Sequence, residues 1–364
     1  VPFAAAVSVH PVTAHATGEV IGRVVEEVGT HPDLVVLLAT PGHAGALEDV
    51  ARAITTLLSP SVLIGATVSS VIGDGADDEG GPGLALWAGL TGPVRAWQGG
   101  PPLPATGATF VPSGMLVLAT ADPTGGLGLV GMLEEHRGGL PVVGATTTAG
   151  PVIVGQRILP GGRVGAVLGP GVRFEAVVAR GWRPIGPPLT VTEADAHRGL
   201  VRQLDGVPAL DRLHRMTRDE VPAGELGLMQ RQLAVGPEPE PDGGDGPPVV
   251  EEVWEVRGAD RSNGAIATAG PVTAGTRIHF WVRDDPGPHL RRALLGRRAD
   301  TALAFVGEPH RRGYGAGDHD AEVVADQLGI RAVTGMIAPT QIGPVGGALR
   351  ALEADASLAL LTAR

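Results

Sequence analysis

Three stretches of this chain share one pattern: an apolar strand reaches a glycine, crosses small residues and arrives at a second, apolar-flanked glycine. They are Leu63-Ile-Gly-Ala-Thr-Val-Ser-Ser-Val-Ile-Gly73, Val142-Val-Gly-Ala-Thr-Thr-Thr-Ala-Gly-Pro-Val-Ile-Val-Gly155 and Val333-Thr-Gly-Met-Ile-Ala-Pro-Thr-Gln-Ile-Gly-Pro-Val-Gly-Gly347. Gly65 to Gly73 and Gly335 to Gly343 have identical spacing, and the middle copy is three residues longer. Glycine at a strand's carboxyl end lets a backbone approach closely, either another segment or a ligand.

Around these motifs the chain alternates. Phe3 to His10 reads as a strand and Ala14 to Gly29 as an amphipathic helix. Leu34-Val-Val-Leu-Leu-Ala39 is a continuous apolar run, the mark of a strand buried on both faces. A helix over Ala44 to Leu58 and a strand over Ser61 to Thr67 deliver the first motif. Met115 to Thr120, Leu127 to Arg137 and Pro141 to Thr147 repeat the order into the second. Leu84–Leu90 with Val94–Gln98, and Arg163–Leu168 with Arg173–Arg180, read as hairpins. The fold class is therefore α/β: mixed sheets with flanking helices, internally repeated strand-helix-strand-glycine motif-hairpin units, and a two-part architecture. Residues 181–192 read as a connector, and 237–248, all Pro, Gly and acid, as a flexible insertion.

Composition removes much chemistry. There is no cysteine, so disulfides and thiolates are excluded, and all 28 basic residues are Arg. Without Lys there is no Schiff base and no P-loop. A net charge of −11 argues against nucleic acid as a partner. No apolar run reaches the roughly 18–20 residues of a membrane span. The first residues lack a basic signal-peptide region, so a cytoplasmic location is expected. No cofactor is expected.

The landmarks resemble the FIST family (F-box and intracellular signal transduction domains). The resemblance rests on Pro32–Thr40, Leu63–Thr67, Val71–Gly73 and Gly81–Ala85, and on the junction Arg180-Gly-Trp-Arg-Pro-Ile-Gly-Pro-Pro-Leu-Thr-Val-Thr192 with Leu204–Leu210. Gly317–Glu322 and Gln341–Gly347 carry it in the C-terminal half. It implies a FIST N-terminal domain over 1–180 and a FIST C-terminal domain over 181–364. It further implies a non-catalytic sensory protein of bacterial signalling type, binding a small anionic or zwitterionic metabolite such as an amino acid and read by a signalling partner. A protein–protein adaptor without a small ligand is the alternative, and a divergent enzyme the third. Three positions depart from the family pattern: Gly307, Gln341 where an acid is usual, and Leu352 where a His is expected.

The candidate ligand residues are Arg311, Arg312, Tyr314, Gln341, Thr67, Ser69, Thr146, Thr147 and His43. Adjacent arginines offer planar forks for a carboxylate or phosphate, and Tyr314 a stacking face; a solvated loop is the other reading. The hydroxyls leave matching strand ends and serve either a pocket or their own turns. Gly126-Leu-Gly-Leu-Val-Gly131 fits a dinucleotide fingerprint, but no acid follows at the end of the next strand, so it reads as close packing. Asp318-His-Asp-Ala-Glu322 reads as a helix start, with no metal expected.

Overall fold

A computed structural model describes the chain apart from residues 1, 74–80, 102, 104–109, 122–125, 148–149, 221–232, 238–252, 309–318 and 354. Contacts divide it into two compact units, Val1–Ala179 with His289–Arg364, and Arg180–Pro288. In chain order come β1 (Phe3–Ser8), α1 (Thr13–Glu27), β2 (Leu34–Ala39), α2 (Leu47–Leu58), β3 (Val62–Thr67), β4 (Ser70–Gly73), β5 (Leu84–Gly89) and β6 (Val94–Gln98). Then follow β7 (Gly114–Thr120), α3 (Leu127–His136), β8 (Val142–Thr147), β9 (Val152–Val154), β10 (Arg157–Leu159), β11 (Arg163–Leu168) and β12 (Val172–Ala179). The other unit holds β13 (Trp182–Asp195), β14 (Leu200–Leu204), β15 (Val207–Pro208), α4 (Ala209–Glu220), β16 (Leu233–Pro237), β17 (Trp254–Asp260), β18 (Ala265–Thr268) and β19 (Arg277–Arg283). The first unit resumes through α5 (Pro286–Leu294), β20 (Thr301–Gly307), α6 (His319–Leu328), β21 (Ala332–Ala338), β22 (Thr340–Val345), β23 (Ala348–Leu352) and β24 (Ala356–Ala363).

The first unit is built from three mixed sheets with equivalent strand orders: β1-β5-β2-β3-β9-β10, β6-β11-β7-β8-β22-β23 and β12-β24-β20-β21-β4. Each contains one parallel pair, β2–β3, β7–β8 or β20–β21. Beyond the second strand of each pair lies an antiparallel strand carried in from another sheet: β9 beside β3, β22 beside β8, and β4 beside β21. The glycine motifs are these transfers. Each one leaves a parallel pair, crosses over and becomes the next strand of a different sheet.

Period-two burial explains the layers. On β2, Leu34, Val36 and Leu38 face a core shared with Leu116 and Leu118 of β7 and Leu303 and Phe305 of β20. Val35, Leu37 and Ala39 face the other way, onto Val20 and Val24 of α1 and Val50 and Ile54 of α2. The outer faces of the other two sheets pack on Leu129 and Leu133 of α3, and on Leu290 of α5 and Val324 of α6. Both faces of each parallel pair are therefore covered. A buried bond crosses the shared core, Trp87 Nε1 donating to Thr301 Oγ1 at 2.8 Å.

The second unit is antiparallel. Its order β13-β19-β16-β17-β18-β14 closes through a β13–β14 pairing, around Ile185, Val191, Val201, Val235, Ile266 and Phe280.

Mixed α/β architecture is as expected, but two local readings are corrected. Neither hairpin forms: β5 lies between β1 and β2 while β6 pairs with β11, and β11 pairs with β7 while β12 pairs with β24. Short turns join these strands, but each strand buries its two faces only by joining a different sheet. The connector 181–192 is also a strand, β13; its prolines Pro187 and Pro188 fall in the irregularity between Ile185 and Leu189, where no ladder donor is required. Of the flexible insertion, all but Pro237 lies outside the described residues.

The first glycine of each motif is explained by register. Gly65, Gly144 and Gly335 stand opposite Leu37, Val117 and Ala304 in the parallel pairs. A Cβ on any of them would collide with the carbonyl oxygen of that opposing residue. Gly144→Ala and Gly335→Ala are thus expected to destabilise the protein by about 1–3 kcal/mol. Gly18→Ala on α1, where a Cβ meets nothing within 4 Å, should be neutral or stabilising. Chemical denaturation of the three variants measures the contrast.

Candidate functional site at the carboxyl ends of the parallel pairs

Open α/β sheets gather ligands outside the carboxyl ends of their strands, and here three such ends are tied together by the transfers. At the first, Gly83 N donates to Thr40 Oγ1 at 2.7 Å. A 3₁₀ turn, Pro41–Ala46, then carries His43 inward to 1% exposure. His43 Nδ1 lies 2.9 Å from the hydroxyl of Thr13, the first residue of α1, and Nε2 has no partner among the described residues. Burial holds the His43 pKa below its usual value. At the end of β3, Thr67 is buried, its hydroxyl without a partner among the described residues, while its backbone N–H donates to Pro151 O of the second transfer at 3.0 Å.

The second end carries Thr120, Thr146 and Thr147. Thr120 pairs with Thr147 across β7–β8 and donates its hydroxyl to Gly150 O at 3.2 Å. Gly150, at φ 151°, sits so close to Thr67 that an added Cβ would come within 2.7 Å of the Thr67 Cβ. Thr146 and Thr147 are fully buried, and neither hydroxyl has a partner among the described residues. Thr146 stands opposite Thr340 of β22, and both methyls face Gly126, which opens α3 at φ 82°. The Gly126–Gly131 fingerprint thus seats a helix start against two threonine methyls.

At the third end, Gln341 is fully buried and its amide is used: Nε2 donates to Ala338 O at 2.6 Å, and Oε1 accepts from Asp355 N at 3.3 Å. Gln341 pairs directly with Leu352, and Gly307 N donates to Asp355 O at 2.9 Å. The three positions that depart from the family pattern therefore converge around the Asp355 backbone. Ser69, in the first transfer, donates to Ile337 O at 3.2 Å and links this end to β21.

The structure thus places Thr67, Thr146, Thr147, Ser69 and Gln341 at strand ends joined by the transfers, and His43 on the turn leaving β2. Arg311, Arg312 and Tyr314 lie outside the described residues, as do His310, Asp318 and Thr148. Sequence reasoning missed Thr13, Thr120 and Thr340. Of these only Thr340 had a signal, one residue before Gln341 in the third motif. Among the described residues no group of three His, Asp or Glu is placed to hold a metal ion, and no helix is long and apolar enough to cross a membrane.

This architecture and these motifs belong to a recognisable class. The family model of the FIST N domain matches residues 33–207. The uncharacterized protein Rv0628c of Mycobacterium tuberculosis is 30% identical over 388 residues, covering 94% of each chain. The uncharacterized protein Mb0898c of Mycobacterium bovis is 31% identical over 385 residues, covering 96% of each. The chain belongs to the FIST family, whose domain is generally a sensory domain of signalling proteins.

The state of His43 has a consequence for stability. Its folded pKa lies below the ordinary 6.5, so acidification through 6.5 protonates the unfolded chain while the folded one resists. Stability is complete above 6.5, falls as pH drops toward the folded value, and levels off below it. His43→Gln should lose less stability than the wild type between about pH 7.5 and 5.5, measured by denaturant unfolding at each pH.

Proposed function

We propose that this protein is a non-catalytic sensor whose ligand, a small anionic or zwitterionic metabolite, binds at the threonine-lined strand ends. One observation supports the reading: the hydroxyls of Thr67, Thr146 and Thr147 are buried without hydrogen-bond partners among the described residues. Burying an unsatisfied polar group costs about 1–3 kcal/mol, and such groups are uncommon in folded chains. A ligand with carboxylate or amine groups satisfies all three. Arg311 and Arg312, on the connection between β20 and α6, supply the counter-charge. Occupation then shifts a conformational equilibrium that a signalling partner reads.

A thermal-shift screen against amino acids and organic acids tests this, since a ligand bound only by the folded state raises the melting temperature. The double variant Thr146→Val with Thr147→Val should melt at or above the wild-type temperature without ligand, because two unpartnered hydroxyls are gone. It should show no ligand-induced rise. Arg311→Ala with Arg312→Ala should also abolish the rise. A ligand shift that survives in both variants would remove the assignment.

A further inference from the structure

We infer that Asn263 is a modification site held closed by the turn between β17 and β18. Its side-chain amide hydrolyses through the Gly264 nitrogen when the turn opens, and Asp260 governs that opening. This inference is independent of the ligand reading, which draws on other residues.

Asn263 is the only asparagine in the chain, and a glycine follows it. Asparagine is among the thermally labile residues. The step is intramolecular. The Gly264 backbone nitrogen gives up its proton and attacks Cγ of Asn263; the Cγ–Nδ2 bond breaks, and that nitrogen leaves as ammonia. Water then opens the cyclic imide at either carbonyl, giving aspartate or the isomer whose backbone runs through the side chain. The balance is one water taken up and one ammonia released. Glycine, with no Cβ, leaves the attacking nitrogen least shielded.

The turn requires both residues. Gly264 has φ 71°, and a Cβ on it would come within 2.6 Å of the Pro208 Cβ. The Asn263 amide is used at both ends: Nδ2 donates to Asp260 Oδ2 at 2.7 Å, and Oδ1 accepts from Ala265 N at 3.0 Å. An ionised aspartate at 263 accepts but does not donate.

The same bonds oppose the reaction. The attacking atom, Gly264 N, is engaged in donating to Asp260 O at 2.8 Å. Gly264 O accepts from Leu210 N at 2.9 Å, which pins the peptide beside the start of α4. Asp260 Oδ1 accepts from Ser262 N at 2.9 Å and from Ser262 Oγ at 2.6 Å. The bonds from Ser262, then that from Asn263, hold the Asp260 carboxyl below its usual pKa. Asn263 itself is exposed, so water reaches it. In the product a second carboxylate stands where Nδ2 donated, two acceptors face each other without a proton between them, and the turn stays open.

The test follows the tryptic peptide between Arg261 and Arg277 by mass spectrometry after the full chain is aged at neutral pH. Folded wild type, wild type unfolded in urea and folded Asp260→Ala are compared. Hydrolysis at Asn263 should be fastest in urea. Folding should slow it by about a hundredfold, and Asp260→Ala should restore about tenfold of that, the effect of losing a bond to a charged group. A second measurement needs no variant. Deuterium exchange of the Gly264 N–H should be slowed by folding to the same extent as hydrolysis, since both need the same opening. Equal hydrolysis in the folded and unfolded chain, a rate unchanged in Asp260→Ala, or Gly264 exchange as fast as in urea would overturn the inference.

Discussion

A parallel strand pair buried on both faces still has two open edges, and every N–H and C=O along them must find a partner. In this fold the edge beyond β3, β8 or β21 is closed by a strand that began in another sheet: β9 leaves the β8 end, β22 leaves β21, and β4 leaves β3. Each sheet is completed by a strand that leaves another. The shared core follows from that closure, since inner faces fed to one another in rotation must meet. So does the first motif glycine, because at each pair the second strand passes where only a hydrogen fits against the opposing carbonyl. Such pairings are distant in sequence, Ser70 with Ile337 for one, and non-local closure of this kind slows folding.

The elements were largely legible. Continuous apolar runs such as Leu34–Ala39 mark strands buried on both faces, and every residue of that run is buried. Amphipathic spacing marks α1, whose buried face is Ala16, Thr17, Val20, Ile21 and Val24. Partnership was not legible. A short glycine turn between two apolar runs looks the same whether the strands pair or part, because what separates β5 from β6 is the presence of vacant edges elsewhere. The prolines of 181–192 misled in the opposite direction: Pro187 and Pro188 fall in the irregularity between Ile185 and Leu189, while Pro184 stands in the ladder opposite Trp281.

At the strand ends the sequence displayed the residue types but not their hydrogen-bond state. Thr67, Ser69, Thr146 and Thr147 look alike as letters. In the structure Ser69 spends its hydroxyl on Ile337 O, whereas the three threonines keep theirs unpaired. Gln341 looked like a ligand contact, and its amide joins Ala338 to Asp355. Replacing an acid by a neutral amide there suits a position that must donate and accept at once, since an ionised carboxylate only accepts. Gly307, Gln341 and Leu352 are thus neighbours around the Asp355 backbone.

The same geometry bears on how a sensor of this kind would transmit. A ligand changes an equilibrium only by binding two states differently. A transfer segment belongs to two sheets: Pro151 holds Thr67 on the first while its chain continues from β8 of the second. A group that engages Thr67 and Thr147 together reaches both sheets across that segment, and small changes in close-packed layers settle into discrete arrangements rather than spreading smoothly. The hydroxyls sit where strand exchange makes the sheets interdependent, so under the proposed reading a ligand at the strand ends, rather than on the surface helices, would couple binding to conformation.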